Sequence, residues 1–251
     1  MLRMLTLVLL LVPTCLFANT RRGKSSSMSG PQYHYNAPRF YQGTASERFI
    51  QVAATVSSPN GAFTIICWDN EQSAFVRCDN PAAFLNISDR LSVVGAVEIR
   101  GEENYSANAY YCFDNVVGNY VSCSNTEGPS NTVNIPSGYE LAAVNEARFE
   151  PTTFFCRFVG NPPNYSEASM ASYNCLVAEP VTSGTVDPNP ESLRVPVPDG
   201  HTLVASALFF EGHSRGTADE YYLSFWHIAI ADYIRLQQML AARTMSVGPA
   251  E

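Results

Sequence analysis

Three sets of side chains in this sequence have the types and spacing that chemistry requires. Gly212 to Gly216 read GHSRG, the G-x-S-x-G pattern in which a tight strand-to-helix turn presents a nucleophilic serine, here Ser214. A serine hydrolase also needs an acid and a histidine placed later in the chain. Only His227 follows, with Asp219 between, and no alternation of strands and helices surrounds the motif. The aligned stretch earlier in the chain, GEENY, has neither serine nor histidine. Ser214 is therefore read as a hairpin-tip residue, and a secreted serine hydrolase ranks third among the functions considered. His201, His213 and His227, with Glu211 nearby, raise the question of a metal. Their separations across a hairpin do not force ligands to converge, so they are read as surface or half-buried histidines and no metal is expected.

The third set is a pair of matching segments, IICWDNEQSAFVRC from Ile65 to Cys78 and YYCFDNVVGNYVSC from Tyr110 to Cys123. Asp69 and Asp114 hold equivalent places in them, but nothing brings the two carboxylates to the opposite sides of one glycosidic bond that hydrolysis requires. No catalytic residue and no cofactor are assigned. Aromatic faces beside carboxylates and amides do suit sugar binding, by stacking and hydrogen bonds. That makes Trp68, Asp69 and Asn70, with Phe113, Asp114 and Asn115, the candidate ligand-binding residues. The competing reading is that Asp and Asn satisfy backbone groups in turns while the aromatic rings belong to the core.

Such residues need elements to hold them, and the chain supplies the same ones repeatedly. ERFIQVAATV (47–56), DRLSVVGAVEI (89–99), GYELAAVNEARF (138–149) and GHTLVASALFF (200–210) are candidate first strands. Turn-rich tips follow, then second strands: AFTIICWDN, AYYCFDN, TTFFCRF and EYYLSFW. In the first three copies a third strand carries a partner cysteine. The second and fourth copies align without a gap, Ala96 on Ala207, Gly101 on Gly212, Tyr110 on Tyr221 and Cys112 on Leu223. Folding CWDNEQSAFVRC about Gln72-Ser73 sets Cys67 opposite Cys78. Folding CFDNVVGNYVSC about Val117-Gly118 sets Cys112 opposite Cys123. A bridge closing so short a loop contributes roughly 2–3 kcal/mol. Both faces of Ile65 to Trp68 are apolar, as an internal strand requires, with the Asp-Asn pair placed where the strand leaves the core.

The chain of 251 residues is 46% hydrophobic but only 15% charged, against about 25% in ordinary globular domains. Its net charge of −8 lacks the basic footprint that nucleic acid needs. Residues 1–18 have an early Arg3 and an apolar run from Leu5 to Val12, and polar, small-residue sequence follows. This is the layout of a secretory signal peptide, and the run is too short to span a bilayer. Seven cysteines less Cys15 leave Cys67, Cys78, Cys112, Cys123, Cys156 and Cys175, an even set expected to pair in an exported chain. Asn86, Asn104 and Asn164 begin glycosylation sequons. Residues 19–45, rich in Ser, Gly, Pro and Arg, read as a flexible arm, and ADYIRLQQMLAARTM (231–245) reads as a helix.

The expected architecture is all-β. Four degenerate three-stranded repeats over 46–230 stack into one barrel-, prism- or sandwich-like domain with disulfide-stapled hairpins, followed by a C-terminal helix and tail at 231–251. The expected function is a secreted, extracellular, non-enzymatic binding protein, lectin-like, whose partner is a glycan. A structural or protein-interaction component of an extracellular matrix or coat is the alternative. Peptide mapping of the exported protein should find an N terminus near Asn19 and bridges 67–78, 112–123 and 156–175. A link between Cys78 and Cys112 would refute both the pairing and the repeat.

Overall fold

The computed structural model describes residues 32–33, 39–57, 62–100, 106–123, 132–145, 152–165, 172–176, 187–188, 195–211 and 220–246. The chain divides into two units, Met1–Gly30 and Pro31–Glu251. Every described residue belongs to the second unit; the signal peptide assigned to 1–18 lies outside them.

The second unit is mostly β-structure. It opens with β1 (Gln32–Tyr33) and β2 (Arg39–Gln42). One antiparallel sheet then runs in chain order through β3 (Phe49–Ser57), β4 (Ala62–Asp69), β5 (Ala74–Arg77) and β6 (Asn80–Phe84). A second has β7 (Leu91–Arg100), β8 (Ser106–Asp114), β9 (Asn119–Ser122) and β10 (Thr132–Val133). A third has β11 (Tyr139–Asn145), β12 (Thr153–Phe158), β13 (Ser172–Leu176) and β14 (Asp187–Pro188). The fourth pairs β15 (His201–Glu211) with β16 (Glu220–Ala229), and the chain then enters α1 (Ile230–Ser246). No sheet closes into a barrel among the described residues; the four remain separate. No described helix is long and apolar enough to cross a membrane.

The first strands of the four sheets are mutual neighbours. β3 packs against β7 and β15, and β11 packs against the same two, so the four make a ring. Each of them carries a bulge at the same place, between Gln51 and Ala53, Val93 and Gly95, Leu141 and Ala143, and Leu203 and Ala205. The residue that resumes the register is always Ala or Gly: Ala53, Gly95, Ala143 and Ala205. All four are buried. Where four backbones converge, a larger side chain has no room. At Gly95 a Cβ would stand 2.7 Å from Val144 Cγ2 and 3.0 Å from Val144 Cβ.

Outward from the ring, the faces of adjacent sheets bury one another. Val97 and Tyr120 of the second sheet meet Leu141, Val144 and Phe154 of the third. Ala143 and Phe155 of the third meet Leu203 and Phe225 of the fourth. The largest cluster joins Ile50, Trp68 and Phe75 to Val93 and Cys112, to Trp226, and to Tyr233, Leu236 and Leu240 of α1. The predicted helix thus exists, and its apolar stripe is what docks it.

Four expectations are corrected. The flexible arm proposed for 19–45 is structured near its end. β2 and β1 lie parallel to β16 and complete the fourth sheet, which lacks outer strands of its own. Phe40 stacks on Phe225 with centroids 5.4 Å apart, and Tyr41 on Trp226 at 5.2 Å. The polar composition of the arm concealed this aromatic pair. Second, the sheets hold four strands rather than three. Third, the gap-free alignment of the second and fourth copies fails. Val93 faces Cys112 while Leu203 faces His227, so His227, not Leu223, takes the cysteine's place. The bulge sets the phase, and it matches Gly95 to Ala205, one residue away from the sequence alignment.

Last, the stapled hairpins turn one residue earlier than expected. Asp69 pairs with Ala74 and Asp114 with Asn119, which leaves loops 70–73 and 115–118. Their final residues are left-handed, Ser73 at φ 50° and Gly118 at φ 77°. Cys67 consequently faces Val76, and Cys112 faces Val121, rather than their bridge partners. The bridges Cys67–Cys78 and Cys112–Cys123 form all the same, with Cα atoms 5.2 and 5.9 Å apart. Cys156 is disulfide-bonded too; the side chain of Cys175, on the neighbouring strand β13, lies outside the described residues.

Gly95→Ala tests the ring. The added methyl should lower stability by about 1–3 kcal/mol through overpacking, read by thermal or urea melts. Combining it with Val144→Ala should recover part of the loss. A neutral Gly95→Ala would mean that β7 and β11 separate freely.

Candidate functional site

The residues singled out in the sequence fall into two environments. Asp69 is fully buried. Its Oδ1 accepts from Arg48 Nε at 3.2 Å and from the Glu71 amide at 3.0 Å, while Oδ2 accepts from Arg48 Nη2 at 2.9 Å and Gln72 Nε2 at 2.6 Å. Asp114 is the same device in the second sheet: it accepts from Arg90 Nη2 and from the amides of Val116 at 3.0 Å and Val117 at 3.2 Å. Each arginine directly precedes a first strand, so each pair ties the start of one strand to the end of the next. These carboxylates do not meet solvent where the strand ends, as expected from the sequence; they fasten the turns. Burial alone would raise both carboxyls, but the arginine and turn donors outweigh it and hold them below the usual carboxylate range.

Trp68 is buried edge-on to Phe75, centroids 5.1 Å apart, with the Arg243 guanidinium 5.3 Å from its ring. Asn70 is exposed, and its backbone N–H donates to the Arg48 carbonyl at 2.8 Å. Phe113 leans on Tyr120 at 5.0 Å, and Asn115 Nδ2 donates to the Arg90 carbonyl at 2.7 Å and to Ser92 Oγ at 3.0 Å. Asn86 and Asn164 are exposed; Asn104, Ser214, His213 and Asp219 lie outside the described residues. His227 is buried edge-on to His201 at 4.9 Å. Burial, then the neighbouring His201, lower its pKa. Among the described residues no three potential ligands gather as a metal would require.

Phe113 and Asn115 do share a cavity, and it leads to residues the sequence reading passed over. A pocket of about 560 Å³ is lined by the residue skipped in each of the four bulges: Val52, Val94, Ala142 and Val204. It therefore sits at the ring of first strands. Tyr233, Leu236 and Gln237 of α1 border it on one side, and Phe113, Asn115, Tyr139 and Tyr165 on another. A bulge re-aims a side chain out of the pleat, and here four bulges open one hollow.

Two charged residues belong to this pocket. In register, Arg157 stands opposite Glu140 where the other sheets place Trp68, Phe113 and Ile228 opposite Ile50, Ser92 and Thr202. A cation thus occupies a position that is apolar in the other three sheets. Arg157 is 1% exposed, its Nη2 donates to the Leu203 carbonyl, and its guanidinium lies 3.9 Å from the Tyr233 ring centroid. Its Nη1 is 3.8 Å from Glu140 Oε2, and its Nε has no hydrogen-bond partner. The Glu140 side chain is 17% exposed. It accepts from Tyr233 Oη at 2.8 Å and from Tyr165 Oη. Tyr120 Oη accepts from the Leu141 amide at 3.1 Å. Burial pushes the Tyr165 and Tyr233 hydroxyls up, so both remain donors.

A desolvated ion pair is weak evidence for stability, since removing two charges from water offsets much of their attraction. A buried arginine held below an accessible carboxylate is better suited to presenting that carboxylate: its charge is balanced, its orientation is fixed by two tyrosines, and it retains accepting capacity toward the pocket. The signal in the sequence was the Arg in FFCRF, which stands where the matching segments have Trp68 and Phe113. No protein-family model, curated protein or solved structure matches this chain.

The framework role of the two aspartates has a measurable consequence. Asp69→Ala and Asp114→Ala should each cost about 1–3 kcal/mol, the desolvation left by unpaired turn donors. Because the folded pKa values lie below the unfolded value of about 3.9, the contribution is complete above that pH and disappears as pH falls through the folded values. Urea melts from pH 7 to pH 2 should show an acid loss that is smaller in the double variant. An unchanged melt at neutral pH would count against the assignment.

Proposed function

We propose that the chain is an exported, non-enzymatic binding protein, lectin-like, that takes a neutral carbohydrate in the central pocket. The observation that carries this reading is Glu140 facing the pocket above the buried Arg157. The pair supplies a hydrogen-bond acceptor without a net charge, which suits hydroxyl groups better than an anion or a cation. Aromatic rings of Phe113 and Tyr139, and amides of Asn115, Asn119 and Gln237, line the same space. A volume of about 560 Å³ lies within the range of small-molecule sites, about 300–1,000 Å³. Two bridged hairpins accord with an oxidising, extracellular setting.

The architecture belongs to the proposal as well. The common bulge, the common ring position and the shared Asp-anchored turn of the first two sheets support descent of all four from one repeated unit. Their radial order, with first strands innermost, is the one propellers use. In that arrangement an axial pocket draws one residue from each unit, and a single divergent unit, here the third with its Glu140 and Arg157, suffices to make the site specific.

A glycan array on the secreted protein, followed by calorimetry with the best sugar, tests the reading. Glu140→Gln should weaken binding at least tenfold, as loss of a hydrogen bond to a charged group implies at about 1.5–3 kcal/mol. Tyr165→Phe removes one orienting donor while keeping the ring, and should weaken binding with little change in melting temperature. A folded Glu140→Gln protein that binds as tightly as the parent would end this assignment.

A further inference from the structure

The turns of the first two sheets have one design and different surfaces. Asp69 accepts from the amides of Glu71 and Gln72, and Asp114 from those of Val116 and Val117. In the first sheet the side chains at these positions join the device, Gln72 Nε2 donating to Asp69 Oδ2 at 2.6 Å and Glu71 pairing with Arg48. The second-sheet turn uses only the backbone donors and so does not select the side chains at its two positions. It fills them with valines that are 69% and 62% exposed. Their flanking residues, Asn115 and Gly118, both line the central pocket, whereas the corresponding Asn70 and Ser73 do not. Beyond the pocket, on the third sheet, Phe158 is 41% exposed and packs edge-on against Tyr139, a lining residue, with centroids 5.3 Å apart. Three of the five large apolar side chains exposed among the described residues therefore adjoin lining residues of one pocket without lining it themselves.

We infer that the ligand of the central pocket is amphipathic: a sugar whose hydroxyls reach Glu140 and whose aglycone is a hydrocarbon chain lying on Val116, Val117 and Phe158. The inference rests on the pocket being the ligand site and adds the aglycone to it. Exposed apolar groups beside a polar pocket gain from covering by hydrocarbon, and nothing in the turn or in β12 requires them. A free sugar would leave these side chains uncovered, and a purely apolar ligand would leave the remaining accepting capacity of Glu140 facing hydrocarbon.

Matched methyl and octyl glycosides of glucose, galactose, mannose and N-acetylglucosamine, used below their micelle concentrations, separate the two claims by calorimetry. The expected result is one sugar for which the octyl glycoside binds at least tenfold more tightly than the methyl glycoside. In Val116→Ser/Val117→Ser, which copies the polar character of the first-sheet turn and so should fold, that advantage should shrink toward onefold while methyl glycoside affinity stays the same. Equal binding of methyl and octyl glycosides, or an octyl advantage that survives the double substitution, overturns the inference and leaves the pocket reading intact. Failure of every methyl glycoside to bind removes the pocket reading, and the amphipathic ligand with it.

Discussion

Four backbones approach one another where β3, β7, β11 and β15 meet, and that proximity governs most of what surrounds it. Only Ala or Gly occupies the position after each bulge, because a strand with a larger residue there could not come so close. The close approach then brings the flanks of neighbouring sheets together, so that rings such as Phe155 and Phe225, centroids 5.1 Å apart, fill the wedge between them. Small residues at the centre and aromatic residues further out are two aspects of one geometry. The high aromatic content of the chain follows from wedges that widen away from the ring.

Two of the sheets are fastened internally as well as to their neighbours. In the first two, an arginine ahead of the first strand grips an aspartate at the end of the second, and a disulfide closes the hairpin beyond it. Among the described residues the third and fourth sheets have no such arginine–aspartate pair. In the fourth, Gly200 holds the arginine's place and its carbonyl accepts from the Ile230 amide at 2.9 Å, and in the third the place is a glycine as well. Gly138, at φ 87°, stands where Arg48 and Arg90 stand, and its carbonyl still accepts from the Val159 amide at 2.8 Å. The third sheet's arginine lies instead at Arg157, inside. One of the two sheets without the clasp thus contributes the charged pair to the pocket.

Much of this was legible in the sequence, and the failures have physical causes. The eight principal strands and the helix followed from apolar periodicity, and the stapled hairpins followed from the matched cysteines. Register was harder to read. A bulge adds a residue without any distinctive residue type, so Gly95 aligns with Ser206 by sequence and with Ala205 in space. The pocket was harder still. Asp69 and Asp114 attracted attention because charge beside aromatics resembles a site, yet their partners Arg48 and Arg90 lie twenty or more residues away and outside the motif. Glu140 and Arg157 carry no motif, and only the pairing of β11 with β12 sets them opposite each other.

The fourth sheet obtains its third strand from the beginning of the chain, and this reverses the usual relation between order of synthesis and order of assembly. Arg39 to Gln42 are made before all four strands of the ring, yet their partners Ser224 to His227 are among the last. Until β16 exists, Phe40 lacks Phe225 and Tyr41 lacks Trp226. Closing so long a stretch of chain is entropically unfavourable, and non-local pairings of this kind form slowly. The first three sheets can assemble from neighbouring segments as the chain lengthens, whereas the fourth must wait for both ends. The molecule is fastened like a belt: its parts are in place early, and its integrity depends on a buckle that shuts last.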